Sequence, residues 1–221
     1  IEFQKNQNEY VDLICNDMIP KVAKQGIAKF NDVFCEPGYF NIEQSKRILE
    51  TGKKHGLIPR MHCDEFSNFG ASILAAELEV QSADHLIEID DGGVDALAKK
   101  KIISTLLPGT TFFLGKKKYA PYLKLQKHGA EVAIATDYNP GSCNIQSMPF
   151  IITLSCIYLK MSVLDAIQSS TITPSKSLMI DKQVGSIEIG KKADILVWNI
   201  PDINHIPYSV TQPKIDLVLK N

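Results

Sequence analysis

Short apolar runs and amphipathic stretches take turns along this chain. The run "IAKFNDVFCE" (27–36) predicts a strand, preceded by a helix over 9–25. "NIEQSKRILETGKKHG" predicts a helix with Asn41 as its N-cap and Gly56 as its stop. "LIPRMHC" (57–63) is the next strand, and "NFGASILAAELEV" the helix after it. "SADHLIEI" predicts a strand with a helix over 92–100, and "KIISTLLPG" a strand with the helix "APYLKLQKHG", which ends at Gly129. "EVAIA" is the fifth strand, and "SMPFIITLSCIYLK" its helix.

Near-continuous apolar strands alternating with helices indicate a parallel α/β sheet. A dinucleotide-binding sheet should carry a Gly-rich fingerprint after its first strand, and none occurs. A (β/α)8 barrel needs eight strands and about 250 residues, so five units amount to a partial TIM-type barrel. Beyond about residue 160 the rhythm changes. Two short helices surround Pro174, and "VGSIEIGKKADILVWNI" then alternates as a hairpin around a Gly-Lys turn would, an appended all-β piece.

Composition narrows the partners. The chain has 221 residues, 44% hydrophobic and 22% charged, with a formal net charge of −1. It lacks a basic stripe and any run near the roughly 18 apolar residues of a membrane span, so nucleic acid and membranes are not expected partners. Five widely spaced cysteines without a CxxC pair predict reduced thiols in the cytoplasm.

Three polar residues sit at strand ends of successive units: His62 in "MHCDEF", His85 in "SADHL" and Asp137 in "ATDYNPGS". Parallel α/β folds gather functional groups at the carboxyl ends of strands, where the loops share one crevice. Asp137 read alone is more simply a cap of the turn or of the next helix, and it is the company of the two histidines that favours a shared site. Imidazole and carboxylate together suit zinc or iron, and such an ion lowers the pKa of bound water from about 15.7 to about 7. Glu65, three residues after His62, could move a proton, or favour the start of the next helix. Glu36 ends its strand in "FCE", where a crevice-facing role and a structural hydrogen bond both fit.

The runs "DVFCE", "MHCDEFSNFGASILAAELEVQSADHL", "LLPGTTFFLG", "YAPYLKLQKHGAEVAIATDYNPGS" and "GSIEIGKKADILVW" resemble the imidazolonepropionases of the amidohydrolase superfamily. The resemblance runs from "YVDLICNDMIP" onward. It implies the C-terminal portion of a metal-dependent hydrolase barrel over 1–180 and, over 181–221, the C-terminal β segment of a composite sandwich domain. By the same resemblance His62 and Asp137 would ligate one zinc or iron ion, and Asp137 would also hydrogen-bond the attacking water. Glu65 would contact the imidazolone ring and handle protons, with His85 as the second acid–base residue. Asn139 and Gly141 match positions that hold the product, and Ser142 one near the imidazolone. The implied reaction opens 4-imidazolone-5-propanoate to N-formimidoyl-L-glutamate in histidine degradation.

Two departures qualify that expectation. The superfamily's His-x-His pair is absent from the chain, as are the family's substrate-gripping Arg, Tyr and His from the first half of the barrel. A catalytic zinc ordinarily has three protein ligands, and the motifs supply two. The chain alone is therefore expected to bind metal poorly and to be inactive unless the missing N-terminal half is supplied. A homodimer, as family members often form, a related ring deaminase and a non-catalytic remnant or subunit are the other readings carried forward.

Overall fold

The structure, a computed structural model, describes residues 6–212 and 214–221. The chain forms two compact units, Ile1–Ser104 and Thr105–Asn221.

In the first unit, α1 (Gln7–Leu13) continues through a π turn (Ile14–Met18) into α2 (Ile19–Gln25), the helix expected over 9–25. The Asn6 side chain accepts the amide of Glu9 at its start, and Gly26 at φ 68° ends it in the left-handed conformation. There follow β1 (Phe30–Cys35), α3 (Ile42–Lys54), β2 (Ile58–Cys63), α4 (Ala71–Glu77), β3 (Ser82–His85) and α5 (Asp91–Lys99). Asn41 and Gln44 close a reciprocal capping box at the head of α3, which fixes where that helix begins.

Strands β1, β2 and β3 are parallel, and their register aligns Phe34 with His62 and His62 with Asp84. Side chains alternate across a strand. Val33, Cys35, Met61 and Cys63 are buried, while Asp32, Phe34, Arg60 and His62 on the other face are exposed or half-exposed. Strand β3 is buried at all four positions. Burial is thus continuous along β3, although three of its four residues are polar, and it alternates in β1 and β2, so none of the three is the near-continuous apolar strand expected from the sequence.

Strand β4 (Ile103–Leu106) spans the junction of the units. In the second unit come α6 (Pro108–Phe113), α7 (Tyr122–Lys127), β5 (Val132–Ile134), α8 (Met148–Leu154) with a π turn (Ser155–Leu159), α9 (Val163–Ser170) and α10 (Ile172–Ser177). The sequence reading missed α6, a six-residue helix opened by Pro108 at its first position. The Ala135 amide donates to Leu106 O at 3.4 Å, and α7, α9 and α10 pack on β5.

The C-terminal hairpin expected around Gly190 does not form. β6 (Ile195–Trp198) pairs antiparallel with β7 (Ile215–Leu219), aligning Ile195 with Leu219, with an irregularity between Val197 and Trp198. Gly190 does make a turn, at φ 93°, but the Lys192 amide beyond it donates to Gln183 O, and Ile187 and Ile189 stay exposed. With its ladder bonds supplied by β7, β6 has no need of the preceding segment. A short helix, α11 (His205–Tyr208), lies between the strands, so the segment is not all-β. Among the described residues no helix is long and apolar enough to cross a membrane.

Candidate metal centre and active site

The polar face of β1–β3 carries a cluster. His62 Nδ1 lies 2.9 Å from Asp32 Oδ2, and the next strand places Asp84 at the position aligned with His62. One donor atom each from Asp32, His62 and Asp84 fall within 4.8 Å of one another. The Ser82 hydroxyl donates to Asp84 Oδ1, and an Arg60 Nη lies 3.7 Å from Asp84 Oδ2. Burial raises the pKa of Asp84, and Arg60 opposes that shift by favouring the anion. One imidazole with two carboxylates is a donor set that suits a divalent first-row ion. The three residues therefore fit a metal ion.

Just beyond β2, the chain turns so that Glu65 faces His85. Their Oε2 and Nε2 are 3.6 Å apart, and both side chains are almost fully buried. The His62 and His85 rings lie side by side, centroids 5.2 Å apart. Two buried carboxylates hold this loop. Glu36 Oε2 accepts the Glu65 amide at 3.2 Å, and its Oε1 accepts the Ser67 hydroxyl at 2.5 Å. Asp64 accepts the amides of Phe69, Ala71 and Ser72, tying the loop to the start of α4. Burial raises the pKa of Asp64, and those hydrogen bonds partly offset it.

Asp137 and its followers belong to the second unit. Asp137 Oδ2 accepts the Thr110 hydroxyl. The Asn139 Oδ1 accepts the amides of Gly141 and Ser142 at 2.9 and 2.7 Å, while its Nδ2 donates to Asp137 O at 2.7 Å and Ser142 Oγ at 3.0 Å. Asn139, Gly141 and Ser142 thus form one closed turn beneath Asp137. Asp64, His85 and Asp137 all have left-handed backbones, with φ of 47°, 74° and 52°. Non-glycine residues rarely adopt it, and such positions gather where function fixes a side chain's direction.

Of the residues singled out in the sequence, His62, Glu65 and His85 are neighbours in the first unit, and Asp137, Asn139, Gly141 and Ser142 are neighbours in the second. Asp32 and Asp84 escaped the sequence reading. Asp32 is a charge inside an apolar run and Asp84 immediately precedes His85, but neither signal reveals the cross-strand register that joins them to His62. All five cysteines are free thiols.

Comparison with known proteins gives this architecture a family. Residues 41–221 match the Amidohydrolase family, and the chain belongs to it. Its strand–helix alternation is shared by solved structures of low sequence identity. An adenosine deaminase from Xanthomonas campestris with bound zinc superposes with a TM-score of 0.73 at 15% identity, over 92% of this chain and 54% of that one. Escherichia coli guanine deaminase gives 0.63 at 16% identity, over 80% and 50%. The fold is part of an amidohydrolase barrel.

Curated imidazolonepropionases are much more similar in sequence. That of Alkaliphilus oremlandii is 40% identical over 220 residues, covering 100% of this chain and 52% of the relative. That of a Geobacillus species is 42% identical, again over 100% and 52%. The chain spans about half the length of the curated relatives it matches.

Proposed function

We infer that this chain contributes the carboxyl-end residues of a metal-dependent cyclic-amide hydrolase, which opens 4-imidazolone-5-propanoate to N-formimidoyl-L-glutamate. The observation that carries this reading is the Glu65–His85 pair, a buried carboxylate and imidazole 3.6 Å apart, in a chain 40% identical to an imidazolonepropionase. Opening a ring amide requires one proton to leave the attacking water and one to reach the departing nitrogen. A carboxylic acid and an imidazole, held together away from bulk water, are suited to those two transfers. Glu65 holds the proton destined for the ring nitrogen, and His85 accepts the one released by the water.

A divalent ion held by His62, with Asp137 as its second ligand, would supply Lewis acidity toward the ring carbonyl. Asn139, Gly141 and Ser142 offer a turn of amide and hydroxyl groups for the polar ends of the substrate and product. The substrate is a small molecule, the remaining ligands come from an N-terminal half like that of the relatives, the assembly is a homodimer, and the location is the cytoplasm.

The test is turnover of imidazolonepropanoate, followed by loss of its ultraviolet absorbance. The chain is assayed alone and mixed with the N-terminal half of the Alkaliphilus oremlandii relative, with guanine and cytosine as control substrates. The expected result is no turnover by the chain alone and turnover of imidazolonepropanoate only in the mixture. In that mixture Glu65→Gln should lower kcat by about 100-fold or more. A reconstituted complex that deaminates guanine instead, or one indifferent to Glu65→Gln, would reject the reading.

A further inference from the structure

Three aromatic rings gather beside the buried acid–base pair. Phe34 lies opposite His62 in the β1–β2 register and meets its imidazole edge-on, with centroids 5.7 Å apart. The Tyr39 ring is 4.3 Å from that of Phe34, and the Phe66 ring is 6.0 Å away in a T-shaped contact. Phe66 immediately follows Glu65 in the chain. We propose that Phe34, Tyr39 and Phe66 form the wall that receives the planar ring of the substrate, a small conjugated heterocycle, next to Glu65 and His85. This wall deepens the hydrolase reading above, on which the identity of that ring rests.

The backbone holds the wall in place. The turn after β1 folds back on the strand, with the Glu36 amide donating to Phe40 O at 3.1 Å and the Phe40 amide to Phe34 O at 3.3 Å. Within it the Tyr39 amide donates to Glu36 O at 2.9 Å, and Gly38 makes the bend at φ 89°. Phe66 belongs to the neighbouring loop, whose Glu65 amide and Ser67 hydroxyl both donate to the buried Glu36 carboxylate. Glu36 thus ties both ring-bearing loops to Glu65, which keeps the wall and the proton-transferring groups at one spacing.

Exposure fits a binding role. Tyr39 and Phe66 are 50% and 43% exposed and Phe34 is half-buried, whereas Glu65 and His85 are almost fully buried. A few buried polar groups flanked by open aromatic rings are the composition of a small-molecule site. Aromatic rings favour a flat conjugated partner at centroid separations of about 4.5–7 Å. The opened product has no ring to offer, so the wall holds the closed form and lets the open form go. The competing arrangement is a packing seam for another part of the protein. Such a seam would not discriminate a ring from an open chain.

The experiment mixes the chain with the N-terminal half of the Alkaliphilus oremlandii relative and measures binding of two unreactive probes by calorimetry. Imidazole-4-propanoate keeps a planar ring, and N-formimidoyl-L-glutamate has none. Phe34→Leu and Phe66→Leu should each weaken the ring probe about three- to tenfold and change the open-chain probe by less than about twofold. Tyr39→Leu, at an exposed position where the fold depends little on the side chain, should act in the same direction. With imidazolonepropanoate the same variants should raise KM more than they lower kcat. Equal weakening of both probes, weakening of neither, or no binding of the ring probe by the wild-type mixture would overturn the wall. Ring-selective loss of binding in a mixture without turnover would keep the wall and reject the hydrolase reading. Turnover with unaltered ring binding in all three variants would do the reverse.

Discussion

The carboxylate of Glu36, at the end of one strand, accepts the backbone amide of Glu65, at the end of the next, with an Oε2–N distance of 3.2 Å. Through its other oxygen Glu36 also takes the Ser67 hydroxyl. The carboxylate is 2% exposed, so these bonds do not compete with solvent. Glu36 is therefore a positioning residue for the loop that carries Glu65.

Removing that acceptor strands a buried amide and hydroxyl. Glu36→Ala should destabilise the chain by about 2 kcal/mol in urea unfolding, the usual cost of an unsatisfied buried donor plus the cavity. Amide hydrogen exchange at Glu65 should accelerate in the same variant. Glu36→Gln should keep most of the protection, because its carbonyl can accept the Glu65 amide while its NH2 donates to Ser67 Oγ. Equal exchange at Glu65 in wild type and Glu36→Ala would show that the loop is held by other contacts.

Asp64 anchors the other end of the same loop, by a different set of bonds. It is fully buried and accepts the amides of Phe69, Ala71 and Ser72. Asp64→Ala would leave these three at the entrance of α4 without their acceptor, and should cost about 2–3 kcal/mol. Asp64→Asn retains one acceptor oxygen and removes a charge that burial disfavours, so it should cost less than the alanine variant. The comparison of urea midpoints checks the order, and an asparagine variant as weak as alanine would contradict it.

How far the sequence reached can be judged from these residues. Asn41 and Gln44 form a cap whose partners are three positions apart, so the head of α3 was visible in the string. Strand-end His62, His85 and Asp137 were visible too, because a polar residue interrupting an apolar run is a local signal. Asp32 and Asp84 were not, since their meaning depends on which residue of β2 lies opposite, and the sheet settles that. The C-terminal hairpin failed for the same reason. Alternation in "VGSIEIGKKADILVWNI" fits a local turn, but the partner of β6 is twenty residues further on, from Ile195 to Ile215. Local chemistry was legible, and pairing across distance was not.

Thiol reactivity should separate one cysteine from the other four. Cys15, Cys35, Cys63 and Cys143 are buried, and Cys156 is partly exposed. Burial pushes the Cys35 thiol up to about 11 and the Cys63 thiol well above its ordinary value, and it raises the Cys156 thiol too, so access rather than acidity sets Cys156 apart. Alkylation depends on the thiolate and on access, so iodoacetamide at pH 8 should label Cys156 first in the native chain. All five should react once the chain is unfolded in urea. Peptide mass spectrometry over a time course reads this directly, and early labelling of Cys63 would show that the β2 face is open.

A tyrosine supplies the pH dependence. Burial, together with the negative charge of Asp165 and a hydrogen bond to it, raises the pKa of Tyr122 from 10.0 to about 12. Between those values the unfolded chain releases the phenolic proton while the folded chain keeps it. The folded state then binds more protons, and stability falls as pH rises. The contribution is thus complete below pH 10 and is lost progressively as pH climbs from 10 to about 12. Tyr122→Phe removes both the Asp165 bond and the titration. At pH 8 the variant should be less stable than wild type by about 1 kcal/mol, the net worth of one hydrogen bond. Above pH 10 that gap should narrow, because only the wild type still loses stability through this group. Urea unfolding at several pH values measures the gap, and a deficit that stays constant to pH 11.5, about one and a half units past the unfolded value, would mean that Tyr122 titrates alike in both states.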